Sequence, residues 1–376
     1  MFIRRSCWIL LVMIVFVWGP GLEVQAQESP LTLESAIEMA YKSNPDLRKA
    51  EFQLDKAQYV RDELAKNISL PNPNGVLMVY PAMQQAVNSF QQAEVNLRTA
   101  KKMTEAEQQK LEKDVTVAYS NCIKSKAQLE LAKKNLAQMQ QLDRIASLSR
   151  ANGLMSDFER EKSHSSRKQL EEKIKGAEVQ YAKSMAELAS LLGKGSDWQA
   201  NLVSYPVIRD YQRNELWMEL GRGVSESVLT LAAKNQLDVE KTKEYFPITH
   251  TDAYMWNLQY NLAELDYEQA NRDARNTIEK LYYQIDSLEK LVTTSELKLI
   301  QADKDLELAQ LKYEVGMISR YSLLNSSLSG AEIDRENALS ELQGYQNDLI
   351  QAKAQYAYLT GQPVYHDADW SVRECE

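Results

Sequence analysis

Apolar side chains recur along most of this chain in alternating steps of three and four residues. In the second half the steps run without a slip from Ile278 to Tyr313, and they resume from Ala338 to Leu359. This spacing puts the apolar positions on one side of a helix, and a long run of it is typical of helices that pack along one seam. Gly316 separates the two runs. The pattern therefore predicts two long helices joined by a tight turn into an antiparallel hairpin.

The first half carries a second copy of this hairpin. A helical pattern covers residues 82–150, with seam positions from Leu111 to Ala146, and a return helix follows as far as Gly193. At about 1.5 Å per residue, a helix over residues 82–150 would be about 100 Å long. We expect another helix, from the repeat itself or from another chain, to cover the apolar stripe of such a rod.

Matched segments indicate a tandem duplication. Asn-Gly-Leu-Met-Ser at 152–156 matches Val-Gly-Met-Ile-Ser at 315–319, with an offset of 316 minus 153, or 163. Gln-Leu-Asp recurs at 53–55 and 236–238, with an offset of 236 minus 53, or 183, and Gly193 and Gly361 close the two return helices. The difference, 183 minus 163, means that the second copy lacks about 20 residues near positions 67–80 of the first.

The first repeat is expected to begin with a short helix and to continue with a longer one. Thr32 is the expected N-cap of the short helix, which breaks at Asn44 before Pro45. The longer helix then runs to about Lys66. Residues 67–81 are the one clear non-helical stretch, and within them residues 76–80 form either one short strand or an extended connector.

The N-terminus has the features of an export signal. Arg4 and Arg5 precede an apolar run over residues 7–18, and small residues stand just before residue 27. These features predict a signal peptide that is cleaved after Ala26. We therefore divide the chain into a signal peptide (1–26), a first repeat (27–195), a linker (196–223), a second repeat (224–361) and a C-terminal tail (362–376) on the surface.

Composition and motifs narrow the class of function. Charged residues make up 26% of the chain with both signs mixed, so no basic block indicates a nucleic-acid partner. The three histidines, His164, His250 and His366, lack Cys or acidic partners at ligand spacing, and we expect surface residues instead of metal ligands. No phosphate loop, nucleophile elbow or zinc-protease motif is present, so we expect neither an enzyme nor a cofactor.

Two segments and the duplicated layout resemble the TolC family of outer-membrane efflux proteins. The first segment is Leu31-Thr32-Leu33-Glu34-Ser35-Ala36 leading into Ser43-Asn44-Pro45-Asp46-Leu47, and the second is Tyr313-Glu314-Val315-Gly316-Met317-Ile318-Ser319. The predicted fold is all-α, with long antiparallel hairpins in tandem duplication, as in a TolC-like α-barrel protomer, and at most a vestigial β segment. The resemblance implies a homotrimer in the outer membrane or periplasm, working with a periplasmic adaptor and an inner-membrane pump.

The resemblance also implies that the two helical turns face the adaptor. These adaptor-facing residues are Asn152, Gly153, Leu154, Met155, Ser156, Val315, Gly316, Met317, Ile318 and Ser319. The chain departs from the family in two respects. Each family repeat supplies two membrane strands, whereas this sequence offers one candidate at 76–80. Where the family often carries acidic gating residues, this chain has Ser322 and Asn325, with Glu159 and Lys162 in the first repeat.

Three functional hypotheses follow. The first is an exported efflux-conduit subunit, which accounts for the duplicated hairpins and the family-like segments. The second is a periplasmic or surface helical scaffold, a relative that kept the rods and lost the pore, and the missing strands favour it. The third, a generic coiled-coil protein, fits the heptads but leaves the matched glycine turns unexplained.

Overall fold

The computed structural model describes residues 30–68, 81–203, 215–242, 250–322, 327–362 and 364. The predicted signal peptide, the candidate strand at 76–80 and nearly all of the C-terminal tail lie outside these ranges. The described residues form eight helices, and the only other pairing among them is an isolated bridge between Leu31 and Leu202. The helices are α1 (Leu33–Ser43), α2 (Pro45–Ile68), α3 (Pro81–Ala151), α4 (Asp157–Leu191), α5 (Leu216–Glu226), α6 (Val228–Thr242), α7 (His250–Glu314) and α8 (Leu328–Leu359). The predicted all-α fold is confirmed.

The start of the first repeat follows the signals in its sequence. Thr32 caps α1 through a capping box with Ser35, in which each side chain bonds the backbone N–H of the other residue. Asn44 then separates α1 from α2, and its Oδ1 accepts a hydrogen bond from the backbone N–H of Leu47 (2.8 Å). Pro45 suits the first position of α2, where a backbone donor would have no helical partner. The break predicted at Asn44 is confirmed.

The two predicted hairpins form as long rods. α3 has 71 residues and packs along α4 with 35, while α7 has 65 residues and packs along α8 with 32. The predicted seam is the buried side of these rods, with Val115 and Cys122 fully buried in α3 and Ile278 and Ile285 almost so in α7. Tyr313, the last seam position, is 41% exposed, because it lies at the turn, where the seam ends.

The second repeat opens with a short helix, most of which (residues 216–223) lies in the segment expected to be a linker. α5 has 11 residues, as α1 has, and Ser227 separates it from α6 as Asn44 separates α1 from α2. The last residues of α1 and α5 are Ser43 and Glu226, and 226 minus 43 is 183, the offset found between the sequence repeats. Among the residues that the structure describes, both repeats therefore contain four helices in the same order.

Each repeat has its core where its short helix packs against its hairpin. In the first repeat Ile37 of α1, Tyr119 of α3 and Leu188 of α4 are buried together, and the hydroxyl of Tyr119 donates a hydrogen bond to the carbonyl of Leu31 (2.8 Å). In the second repeat the core centres on Ile278 and Tyr356. Burying a large apolar side chain contributes about 2 kcal/mol, so these clusters anchor the rods at this end.

The two repeats join along α3 and α8. Lys124 Nζ lies 2.8 Å from Asp348 Oδ1, and Lys134 Nζ lies 2.9 Å from Glu336 Oε2. The four rods lie side by side in the order α4, α3, α8, α7. Within the described part of the chain, α4 and α7 are thus the two edges of this four-rod wall.

Candidate docking tip

Both hairpin turns lie at the same end of the wall. From Lys124–Asp348 to Lys134–Glu336, the contact moves forward along α3 and back along α8, so the two helices are antiparallel. α7 is antiparallel to α8 in the same way, since Lys298 pairs with Glu341 and Asp303 pairs with Arg335, so the carboxyl ends of α3 and α7 point to the same end of the wall. The structure therefore places the two matched segments at the same end of the wall.

A glycine with left-handed backbone ends α3. Gly153 has φ 72°, a conformation that costs a side-chain-bearing residue about 1 kcal/mol or more. The N–H of Gly153 bonds the carbonyl of Arg150 (2.9 Å), and the N–H of Leu154 bonds the carbonyl of Ser149 (2.8 Å). These two bonds form a Schellman motif, which satisfies the last carbonyls of the helix.

The second turn repeats this geometry bond for bond. Gly316 has φ 74° and its N–H bonds the carbonyl of Tyr313 (3.0 Å), while the N–H of Met317 bonds the carbonyl of Lys312 (2.7 Å). Each of these residues has its counterpart in the first turn at the same offset, because 316 minus 153 and 312 minus 149 are both 163. The two turns therefore share one backbone conformation as far as Met317.

The chain leaves the two turns differently. In the first turn Ser156 caps α4 in a capping box with Glu159, and the hydrogen bonds from the Ser156 backbone and hydroxyl lower the pKa of the Glu159 carboxyl. In the second turn the equivalent Ser319 donates its hydroxyl to the carbonyl of Tyr321 instead. α8 begins only after Ser327, whose Oγ accepts from the N–H of Gly330 (3.1 Å).

Large apolar side chains stand exposed on both turns. Leu154 is 80% exposed, and Met317, its counterpart in the second turn, is 76% exposed. Phe158 adds an aromatic ring that is 78% exposed, and Val315 is 68% exposed. We call residues 152–158 and 315–319 the docking tip. Phe158 was not among the predicted site residues, although an aromatic residue just after a capping serine was a visible signal.

The expected gating positions do not form a single cluster in the described structure. Glu159 belongs to the capping box, Lys162 is exposed, Ser322 is half-buried, and Asn325 lies outside the described residues. A charged group stands instead on the seam behind the first turn. There Nη1 of Arg167 lies 3.4 Å from Oδ2 of Asp143.

The described part of the chain holds one histidine side chain, that of His164. His164 Nδ1 lies 4.0 Å from Asp143, whereas the side chain of His250 and all of His366 are outside the described residues. In the described ranges, no three His, Cys, Asp or Glu side chains are grouped closely enough to hold an ion. In the same ranges, no helix combines the length and the apolar character that crossing a membrane requires.

Comparison with known proteins places the fold. No protein-family model and no curated protein matches the sequence. Among solved structures, the chain is similar to the outer membrane protein VceC of Vibrio cholerae, with a TM-score of 0.64 at 15% identity, over 89% of this chain and 97% of that one. It is also similar to CusC, a protein described as forming a transmembrane channel, with a TM-score of 0.64 at 15% identity, over 89% and 93% of the two chains.

A third similar structure is the open state of the MtrE outer membrane channel of Neisseria gonorrhoeae. Its TM-score is 0.62 at 13% identity, and the match covers 90% of each chain. The three matches cover 89–90% of this chain. The predicted resemblance is confirmed at the level of the fold: this chain has the fold of the TolC-like outer-membrane channels.

Proposed function

We propose that this chain is an exported, outer-membrane efflux-conduit subunit of the TolC type. It works as a trimer, with a periplasmic adaptor and an inner-membrane pump as partners. The observation that carries the proposal is the docking tip, in which two turns of matched conformation present exposed apolar side chains at one end of the wall. The fold shared with VceC, CusC and MtrE supports it.

The docking tip is suited to a partner that presents an apolar surface. Exposed apolar side chains on a rigid turn gain free energy when a partner buries them, and full burial of a side chain such as Phe158 contributes about 2–3 kcal/mol. The Schellman bonds and the capping box hold the turns before binding, so little conformational entropy is lost on docking. In this proposal the adaptor covers Leu154, Phe158 and Met317 together.

The test removes the apolar side chains from the docking tip. The double variant Leu154→Ser, Met317→Ser should bind the adaptor of its host at least about tenfold more weakly, because each lost contact contributes about 1 kcal/mol or more. Leu229→Ser is the matched control, since Leu229 is 77% exposed but lies on α6, at the far end of the wall. The measurement is adaptor cross-linking in the envelope together with the accumulation of an efflux substrate in cells.

Unchanged adaptor binding in the double variant would contradict the docking role.

The scaffold hypothesis predicts a different result in membrane fractionation. A conduit embedded in the outer membrane resists a carbonate wash and requires detergent, whereas a periplasmic or surface scaffold is released by the wash.

A further inference from the structure

A cavity lies far from the docking tip, near the start of α3, where α2 and α6 flank that helix. Its volume is about 730 Å³, which falls within the range of pockets that hold drug-sized molecules. Residues from Ser89 to Arg98 of α3 supply most of its lining, with Val60 of α2 and Val239 of α6 on either side. The conduit function proposed above does not use this cavity.

One end of the cavity is apolar. α2 and α3 are antiparallel, and Nε of Arg61 lies 3.6 Å from Oε1 of Glu94. Leu64, one turn beyond Arg61, therefore lies level with Phe90, one turn before Glu94. Ala93, which is 3% exposed, forms the floor beside them. Because Glu94 is engaged by Arg61, this end offers a ligand apolar surface without an unpaired charge.

The other end of the cavity carries one charge of each sign. Asn235 of α6 donates a hydrogen bond to Oγ1 of Thr99, and this contact fixes how α3 and α6 align. Arg98 is next to Thr99, and Asp238 is about one turn beyond Asn235, so both charged residues lie near that contact. Both side chains are exposed, and neither forms an ion pair with another described residue.

The two ends are separated by the length of a small molecule. Phe90 and Arg98 are 98 minus 90, or eight, residues apart on α3, which corresponds to about 12 Å along the helix axis. Between them Gln92 donates a hydrogen bond to Oδ1 of Asn96 (3.0 Å), so these two amides already interact. The cavity therefore has an apolar end, a charged end and a defined length.

We infer that this cavity binds a zwitterionic amphiphile, a molecule with an aromatic or other apolar body and a headgroup that carries both an anion and a cation. The body packs against Phe90 and Leu64. The anionic group of the head accepts hydrogen bonds from the Arg98 guanidinium, and its ammonium group donates to the Asp238 carboxylate. The inference goes beyond the proposed function, since it assigns a ligand site in a part of the chain that docking does not involve.

The two free charges decide which class of ligand fits. An apolar chain segment would fill the apolar end but would cover Arg98 and Asp238 without giving either a partner, which costs free energy because charged groups lose their water. A purely anionic ligand would meet the Asp238 carboxylate, and a purely cationic one would meet the Arg98 guanidinium. Only a headgroup with both charges satisfies the two side chains together.

The experiment compares three dansyl compounds that share one aromatic body. Dansyl-lysine, modified at its side-chain nitrogen, is zwitterionic, dansylglycine is anionic and dansylcadaverine is cationic. The detergent-extracted full chain is titrated with each, and dansyl emission is excited through tryptophan. Trp256 lies close to the cavity, because its Nε1 donates to the carbonyl of Glu240 (2.8 Å), the residue after Val239. Dansyl-lysine should bind at least about tenfold more tightly than either other probe, because it alone forms both charge-assisted contacts.

Single substitutions at the charged end should reverse the charge preference. Arg98→Gln should favour dansylcadaverine over dansylglycine by about tenfold, and Asp238→Asn should favour dansylglycine by a similar factor. Arg275→Gln is the matched control, because Arg275 is an exposed arginine on α7 outside the cavity lining. Trp256→Phe should reduce the tryptophan-excited emission while equilibrium dialysis gives an unchanged affinity for dansyl-lysine.

Three results would overturn the inference. The first is an unchanged probe preference in Arg98→Gln and Asp238→Asn when circular dichroism shows both to be folded. The second is equal affinity of the unaltered protein for the three probes, which would indicate partition into apolar surface or detergent only. The third is no binding of any probe, which would mean that another part of the chain or a second copy fills the cavity. None of them contradicts the proposed function, because every variant retains the docking tip and adaptor cross-linking tests that function separately.

Discussion

In the described part of the chain, four glycines with left-handed backbone mark the ends of the rods. Gly153 and Gly316 end α3 and α7, and Gly193 and Gly361 follow α4 and α8, all with φ between 64° and 74°. Their surroundings differ although their dihedral angles do not. A Cβ on Gly153 would meet nothing within 4 Å, whereas a Cβ on Gly193 would lie 2.7 Å from the Cβ of Ser43 at the end of α1. Gly193 thus meets both a conformational and a spatial requirement.

Alanine at these two glycines should separate the two requirements. Gly153→Ala should lower the free energy of unfolding by about 1 kcal/mol, the strain of a left-handed alanine. Gly193→Ala should lower it by at least about 1 kcal/mol more, because α1 must shift to make room for the methyl group. Urea denaturation followed by circular dichroism measures both. Equal losses would show that the contact with Ser43 adds nothing.

The core of the second repeat contains a tyrosine where the first has a leucine. Tyr356 is the equivalent of Leu188, because 356 minus 188 is 168, and its hydroxyl lies near Glu219, which is fully buried. Burial, and next the neighbouring Glu219 carboxylate, raise the pKa of Tyr356 above its ordinary value near 10. The folded protein therefore keeps a proton that the unfolded chain loses above about pH 10.

The stability of the fold should consequently fall as the pH rises above 10. The unfolded state then binds fewer protons than the folded state, so the free energy of unfolding decreases with pH. Tyr356→Phe should make this decrease shallower, and at pH 7 it should cost about 1–3 kcal/mol by removing a donor near a buried carboxylate. Tyr283→Phe is the control, because Tyr283 is 56% exposed. If the free energy of unfolding fell equally steeply with pH in Tyr356→Phe and in the unaltered protein, this account would be contradicted.

The hydrophobic pattern predicted the rods well and the short helix α5 poorly. In the rods, many apolar positions repeat with the same helical period, so the prediction rests on a long pattern. α5 has only 11 residues, and two of them are Gly221 and Gly223, which disfavour a helix. The structure shows why Gly223 is there. A Cβ on Gly223 would lie 1.8 Å from Cδ1 of Ile278, so glycine lets α5 approach α7. The residue that weakens the local pattern is needed for the contact between helices.

Alanine at Gly223 should therefore displace α5. We expect Gly223→Ala to lower the free energy of unfolding by about 1–3 kcal/mol, as overfilling a closely packed contact usually does. Gly221→Ala is a matched control in the same helix, since a Cβ there meets nothing within 4 Å. It should be neutral or stabilise the helix by about 0.5–1 kcal/mol. Similar thermal melting of the two variants would argue against the close contact.

At the scale of the whole molecule, the sequence located the two turns but could not place them together. Their shared conformation follows from the local match between residues 152–154 and 315–317. Their position at one end depends on how α3 and α8 align, which is set by contacts between the two repeats, such as Lys134 with Glu336. The exposure of Phe158 depends on the same tertiary arrangement. Local patterns carry no information on either.

The fold itself tolerates wide sequence change. Structures with 12–15% identity share it over nearly the whole chain. Packing along a seam requires only apolar side chains of suitable volume at alternating three- and four-residue steps. Many sequences satisfy that requirement. The turns are more demanding, since they call for glycine at one position each.

The contact between Leu31 and Leu202 has a consequence for how such a chain can grow. The backbone N–H of Leu31 bonds the carbonyl of Asn201 (2.9 Å), so the polypeptide enters and leaves the first repeat at one point. The repeat is thus a cassette with adjoining ends. A further cassette spliced in at that point would widen the wall by two rods without rerouting the chain. In the proposed conduit, each added cassette would contribute two further rods from every chain.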